Sequence, residues 1–536
     1  MHIMFPLDIH AVKEYGIAKW QRDFFWPVSD NEFISMTNAI EAVIAKHINE
    51  DAPELSDVLL IKRNLVSEYG HILHAFWVLQ RIPLKGLAPL YTEKTLWYPQ
   101  LAEGRLESHR GSLSHKRDST FPEIVVANQL RGFVGKAGQT LRINVRPGKL
   151  LDYLHHGTRG KVYGMPDHLV RCYLQEQVGW YSLTSAREWT VPLCDLSASY
   201  ILKLQEYARH IVDEISAVAR TYSIALTSSL IAYLISFTED QILDGARALF
   251  SLHQFFSPHP PNHVVVPVLG APLQRAVALT VRSLDGRVTS FAHGGSIGLF
   301  DVPTLSVSEF ALADEFVTYT KGSVEFFERI QIHHPPLRGN HVRILSANTS
   351  FYFDLWKQWS HAPVSKAIKK IMIVAFPHAP WRKSHGTGML SLMQLDFELR
   401  LVEVLKKAGY DVLYKAHPDR LQEIQGIFDT QATVITEDFQ YTNARADAFI
   451  FGSLRTTAFP MALCTNKPII TLYMDHEYPK PFEDALALLK KRCTMVRGWF
   501  DERNRIMFDS EALLAALASP LSSPSKEFVE RYLFPQ

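Results

Sequence analysis

The sequence predicts an α/β protein built from two parallel-sheet lobes that face each other across a cleft, with a helix-rich N-terminal elaboration. Three observations predict it. Short apolar runs recur in the C-terminal half, at Asp411–Tyr414, Ala448–Phe451 and Pro468–Leu472, and each stops at polar or small residues. A second series of strand-like and helix-like patterns alternates between residues 262 and 323. A linker rich in His, Pro and Gly, His333 to Gly339, separates the two. Buried parallel strands read as continuous apolar runs, and alternation with helices is the mark of βαβ units. The domain boundary is therefore expected near 340, giving 1–340 as a first lobe with helical additions and 341–536 as the second lobe.

Composition narrows the class. A chain of 536 residues exceeds one ordinary core, and 47% hydrophobic with 21% charged residues fits a folded protein. A formal charge of +1 gives no general pull toward nucleic acid. Cys172, Cys194, Cys464 and Cys493 are far apart with no CxxC pair, which argues against a disulfide framework or a zinc site and for a reducing compartment. The N-terminal stretch lacks a signal-peptide pattern. The most apolar helical run, Ala225–Phe237, is shorter than the roughly 18–20 residues a membrane span needs. The expectation is a cytoplasmic protein, with peripheral contact at the inner face of the membrane as a further option.

In chain order, Asn31–His47 has helical spacing with Asp30 as its expected cap, and Asp57–Ile61 reads either as a strand or as a helix start. Leu65–Gln80 reads as a helix. Residues 103–120 and the turn Gly157-Thr-Arg159-Gly160-Lys161 are basic loops, open to contact with an anionic acceptor or to plain solvation. Ser199–Tyr222 and Ser228–Leu252 are long helices. Asn262–Leu269, Arg287–Phe291 and Glu315–Thr320 are predicted strands, with a helix at Pro272–Leu284. The second of these strands ends at His293-Gly294-Gly295, where glycines would let a ligand approach closely. The strand Lys370–Phe376 leads to a loop carrying Arg382 and His385, and the helix Leu392–Ala408 stops at Gly409.

The chemistry gathers after the next strands. Lys415-Ala-His417-Pro418 and Gly452-Ser453-Leu-Arg455-Thr456-Thr457 follow strand ends, and Thr456–Cys464 has helical character. A hydroxyl-rich turn feeding a helix offers free N–H groups and the positive end of a helix dipole, a seat for phosphate. Lys415 and Arg455 are the nearest cations for a leaving group. The His417 ring can donate to phosphate or serve structurally. His293 could act as base, phosphate donor or turn residue. Asp301, Glu309 and Asp314 are acidic candidates facing the cleft, Asp152 and Asp167 are further ones, and the choice of a base among them stays open.

These motifs resemble the GT-B glycosyltransferases of bacterial capsule and cell-surface polymers, over roughly residues 262–475. Lys415-x-His417-Pro418 followed by Ser453-x-x-Thr456-Thr457 is similar to the motifs of enzymes that use CMP-sialic acid, CMP-Kdo, related CMP-nonulosonates or CDP-glycerol. The resemblance implies two Rossmann-like lobes, 1–340 on the acceptor side and 341–536 on the nucleotide-sugar donor side, and a His417 that contacts nucleotide phosphate or ribose. It also implies a Ser/Thr turn that holds phosphate. His293-Gly294-Gly295 resembles a junction of such transferases. The implied activity is transfer of a nonulosonic or Kdo-type sugar from a CMP-linked donor to a glycan or lipid-linked glycan. The alternatives are the same fold with CDP-glycerol, CDP-ribitol, a UDP- or GDP-sugar, or a sugar-nucleotide epimerase. The expected partners are the nucleotide-sugar donor and the glycan acceptor, with no other cofactor. His293, Asp301 and Glu309 are the catalytic candidates. Lys415, His417, Pro418, Gly452, Ser453, Arg455, Thr456 and Thr457 are the nucleotide-binding ones, and Gly294, Gly295, Arg382 and His385 the substrate-binding ones. The acidic-acidic-glycine acceptor motif of sialyltransferases is absent: Glu437-Asp438 runs into Phe439, and Asp285-Gly286 follows Leu284. With no suitable DxD pair, no divalent metal is implied and a metal-independent enzyme is expected; Asp475-His476-Glu477 could bind metal but reads as a polar surface loop.

Overall fold

A computed structural model describes residues 3–92, 158–163, 167–177, 180–184, 193–293, 298–362, 367–375, 391–417, 421–474, 479–521 and 525–536. The chain opens with β1 (Ile3–Pro6), paired in parallel to β2 (Leu87–Leu90). Between them, the helices Asp30–Glu50, Pro53–Ile61 and Leu65–Leu84 form a layer. Ser29, not Asp30, caps the first of these: its hydroxyl accepts from Glu32 N at 3.2 Å while Glu32 reaches back to Ser29 N at 2.8 Å. Asp30 is the first helical residue and is buried. Asp57–Ile61 lies in a helix begun by Pro53, which fits the first helical turn because its missing N–H is not needed there.

Two sheets follow. The first joins β3 (Thr158–Tyr163), β4 (Trp180–Thr184), β5 (His263–Val265), β6 (Arg287–Phe291), β7 (Glu315–Thr318) and β8 (Arg343–Ser346) in the order β4-β3-β5-β6-β7-β8, every pair parallel. β3 contradicts the expectation of a loop at Thr158 to Lys161. Gly160 permits it: a Cβ there would lie 2.6 Å from the His263 carbonyl oxygen. β5 is shorter than the expected 262–269, as Pro267 has no N–H to extend the ladder. After β7 comes the helix Lys321–His333, at whose start Thr320 and Ser323 cap each other at 3.2 and 2.9 Å. This sheet runs past the expected boundary at 340.

The second sheet contains β9 (Lys370–Val374), β10 (Asp411–Lys415), β11 (Thr433–Ile435), β12 (Ala448–Phe451), β13 (Ile469–Met474), β14 (Thr494–Phe500) and β15 (Ile506–Phe508). Their order is β11-β10-β9-β12-β13-β14-β15, parallel through β14 with β15 antiparallel at the edge. Counted from β9, the six parallel strands run 3-2-1-4-5-6, the doubly wound order whose direction reverses between the first and fourth strands. The helix Ser391–Lys407 joins β9 to β10 and ends at Gly409, whose φ of 86° suits a residue without a Cβ.

Each lobe also receives chain from the other half. Trp26 N donates to Arg503 O at 2.9 Å and Asn504 Nδ2 to Trp26 O at 2.7 Å, seating the N-terminal segment on the second lobe. Arg505 clamps the same place, donating to Gln21 O at 2.7 Å and to the fully buried Asp396 at 2.6 and 2.8 Å. In return, the last helix, Glu527–Tyr532, packs on the first lobe. The Tyr532 ring stacks on Phe326 at 4.3 Å, and Thr320 Oγ1 donates to Tyr532 O at 2.7 Å. Gly322 makes room for this helix, since a Cβ there would collide with the Arg531 carbonyl. The four cysteines are free. Among the described residues no helix is long and apolar enough to cross a membrane.

Candidate functional site

The reversal point of the second sheet opens a crevice at the carboxyl ends of β9 and β12, where open α/β sheets bind ligands. A cavity of about 410 Å³ occupies it. Val374 and Ala375 enter from the end of β9, Lys415, Ala416 and His417 from β10, and Arg455, Thr456 and Thr457 from the turn after β12. Asp438, Phe439 and Gln440, at the start of the short helix after β11, and Ala458 and Met461 complete the lining. The sequence placed five of these, Lys415, His417, Arg455, Thr456 and Thr457, at a phosphate seat, and the fold brings all five to one cavity. It passed over Asp438, Phe439 and Gln440, although the polar step after Thr433–Ile435 was the signal for them.

Each polar group is held differently. Lys415 is buried, and its ammonium donates to Ala416 O at 2.8 Å. Burial pushes its pKa below the ordinary value, while the carboxylates of Asp438 and then Glu437 pull it back up. Thr456 is 8% exposed, and its Oγ1 is buried without a hydrogen-bond partner among the described residues. A buried hydroxyl left unpaired costs roughly 1–3 kcal/mol, so a cavity wall that carries one suits an acceptor from outside the chain. Thr457 is exposed at the rim. Arg455 is half-buried, with its guanidinium carbon 5.8 Å from the centroid of the Phe300 ring of the first lobe. This contact carries the first lobe to the cavity rim. Residues 299–301 and 480–482 are laced together beside it: Asp301 N donates to Lys480 O at 2.9 Å and Phe482 N to Leu299 O at 3.0 Å.

Two residues of the turn build it rather than line it. Ser453 is buried, with Oγ accepting from Arg455 N at 3.2 Å, which fixes the loop that aims Arg455. Gly452 lies where a Cβ would stand 3.1 Å from Phe397 and 3.2 Å from Gln394, so the missing side chain lets the helix Ser391–Lys407 pack against the strand end. The helix after the turn is Ala458–Leu463, shorter than the expected Thr456–Cys464, and Thr457 makes no side-chain cap. Six residues sum to a weak macrodipole, so the electrostatic weight of the site falls on Lys415 and Arg455. Arg492 braces the far end of this helix, with Nη2 donating to Thr465 O at 2.6 Å.

The three catalytic candidates of the first lobe lie outside this lining. His293 is exposed just past the end of β6. Asp301 faces two histidines: Oδ2 accepts from His333 Nδ1 at 2.9 Å, and Oδ1 lies 3.0 Å from His334 Nε2. That pairing ties the lacing segment to the end of the helix Lys321–His333. Glu309 is buried, with both oxygens accepting from Leu269 N, at 3.1 and 3.3 Å, and desolvation pushes its carboxyl up to about 7. It anchors the loop after β5 instead of facing solvent. Asp314 accepts from Val288 N at 2.8 Å and Arg282 Nε at 3.0 Å, again a fold contact. Gly294, Gly295, Arg382, His385, Pro418 and the Asp475-His476-Glu477 cluster lie outside the described residues.

No family model matches the sequence, and no curated protein matches it. Among solved structures, a UDP-N-acetylglucosamine 2-epimerase from Rickettsia bellii is similar at 11% identity and a TM-score of 0.32. The alignment covers 54% of this chain and 75% of that one. The likeness is too slight to argue from, and the two strand orders rest on their own pairing.

Proposed function

We propose that this chain is a sugar-nucleotide enzyme of GT-B type, a glycosyltransferase whose second lobe binds the nucleotide phosphate in the cavity between β9, β10 and β12. The observation that carries the reading is Thr456 Oγ1, buried and unpartnered in a wall shared with Lys415, His417 and Arg455. A phosphate oxygen accepts from that hydroxyl, while Lys415 and Arg455 offset the charge that builds up as the sugar departs. Asp438 at the rim is placed to accept from ribose hydroxyls, and Phe439 and Met461 give the less polar wall that a nucleoside needs.

A cytidine nucleotide, as CMP linked to a nonulosonic or Kdo-type sugar, is the donor we infer. The support is the resemblance of Lys415-x-His417-Pro418 and Ser453-x-x-Thr456-Thr457 to the motifs of such transferases. A single phosphate leaving group asks less of the site than a diphosphate, and two protein cations suit it. The acceptor is inferred to be a surface glycan or lipid-linked glycan. None of the acidic candidates of the first lobe lines the cavity, and among the described lining residues Asp438 is the carboxylate.

Thermal-shift and calorimetric titration with CMP, CDP, UMP, UDP and GDP tests the reading. Saturable binding of CMP, weakened by Arg455→Ala, is the expected result. Binding of uridine or guanosine nucleotides alone replaces the cytidine donor, and uridine binding with epimerisation of a UDP-sugar replaces transfer. No binding of any nucleotide overturns the proposal.

A further inference from the structure

Far along the sequence from the cavity residues, three side chains meet between two helices of the N-terminal half. His210 and Glu214 are one turn apart on the helix Ala198–Thr221, and His47 comes from the last turn of Asp30–Glu50. Glu214 Oε1 lies 3.4 Å from His210 Nε2 and 3.6 Å from His47 Nε2, and the three ligand atoms fall within 4.8 Å of one another. A metal ion about 2.1 Å from each of two tetrahedral ligands holds those ligands roughly 3.4 Å apart. The two histidine–Glu214 separations match that span.

His47 supplies the second, independent observation. It is 3% exposed, and its Nε2 is buried without a hydrogen-bond partner among the described residues, directed at Glu214. Its other nitrogen, Nδ1, lies 2.7 Å from Asp51 Oδ2. A carboxylate only accepts, so Nδ1 carries a proton, and in the neutral ring Nε2 presents its lone pair to the cluster. A carboxylate behind a histidine is the usual support of a ligating imidazole, fixing its tautomer and ring orientation. His210 is largely exposed, which leaves a route for the ion and room for water as a fourth ligand. Lys46 competes, since its ammonium lies 3.1 Å from Glu214 Oε1.

We propose that His47, His210 and Glu214 form a binding site for a divalent transition metal, zinc by its ligand set, that ties the helices Asp30–Glu50 and Ala198–Thr221 together. Two imidazoles and one carboxylate are borderline ligands that favour zinc over magnesium or calcium. The site is independent of the nucleotide reading.

Isothermal titration of untagged, chelator-stripped protein with zinc chloride tests it, beside melting curves with and without the ion. The wild type is expected to take up one tight equivalent and to melt at a higher temperature with zinc. His210→Ala changes an exposed residue and leaves the fold intact. It should weaken the tight equivalent by about tenfold or more and abolish the thermal shift. Lys46→Gln, which removes the competing ammonium, should tighten binding. Absence of a tight equivalent in the wild type overturns the proposal, and so does undiminished binding by His210→Ala.

Discussion

Arg455 of the second lobe extends its guanidinium over the ring of Phe300 in the first, 5.8 Å from guanidinium carbon to ring centroid. Phe300 is fully buried and backed by the Asp301–Lys480 hydrogen bond, so the ring is a fixed shelf for a cation at the cavity rim. The geometry of one lobe thereby sets the position of a charge on the other.

This contact is testable by a cycle of Phe300→Leu, Arg455→Lys and the double variant. Cation–π contacts are worth about 0.5–1 kcal/mol at partly exposed sites, so each single change should weaken CMP binding about threefold. Leucine keeps most of the volume, and the fold should lose only about 1 kcal/mol. The double variant should bind about as well as either single one. Fully additive losses in calorimetric affinity would show that the ring does not act through Arg455.

Thr456→Val should separate stability from binding. Replacing an unpaired buried hydroxyl with a methyl group of similar shape removes a desolvation cost, so the free protein should gain about 1 kcal/mol in denaturant unfolding. The same change removes the hydroxyl offered to phosphate and should weaken CMP about tenfold. A variant that binds normally would remove Thr456 from the site.

The buried carboxyl of Glu309 predicts a pH signature. Its pKa rises from an ordinary 4.5 to about 7 in the fold, so the folded state holds its proton more tightly than the unfolded chain. Stability therefore falls as pH rises from about 4.5 to about 7 and is level on either side, by about 3 kcal/mol at most. Asp30, pushed up to about 7 by burial alone, adds in the same direction. Glu309→Gln removes one share: the variant and wild type should differ by less at pH 5 than at pH 8, with the variant gaining relative ground at the higher pH. Parallel unfolding curves across that range would refute the assignment.

The second lobe was largely legible in the sequence, and the physical reason lies in particular strands. Ala448–Phe451 is buried on both faces and so reads as an unbroken apolar run, and the valines that follow His263 in the first lobe are nearly as clear. Lys415, His417 and the Arg455–Thr457 turn were found because polar residues directly after such runs fall at one sheet edge. Glu309 misled for the converse reason, since a carboxylate bonded to a backbone N–H inside the core looks in sequence like one facing a cleft. The helix Leu65–Leu84 buries residues around most of its circumference, which blurs the period that marks an amphipathic helix. β3 was hidden by its composition, as Thr-Arg-Gly-Lys carries no apolar run at all.

Asp396 and Arg505 offer a further test. Asp396 is completely buried between Arg400 Nε at 2.9 Å and Arg505, which also holds Gln21 O. Asp396→Asn leaves two guanidinium groups without their counter-charge, and about 3–5 kcal/mol of stability should go with it. Hydrogen exchange should speed up at residues 17–26, where the N-terminal segment rests on Arg505. Unchanged protection there would show that the segment is held by other contacts.

The crossing of the two chain ends bears on how such a protein could be divided. A cut between β8 and β9 would strip the second lobe of the segment around Gln21 and Trp26, and would leave the first lobe without the helix that fills the space at Gly322. Neither piece would keep a closed surface, since Phe326 and the Asp396–Arg505 pair would each face water. Moving the second lobe into another protein would have to carry the crossing segment with it, so its transferable unit is the sheet plus a strip of sequence from the opposite half of the chain.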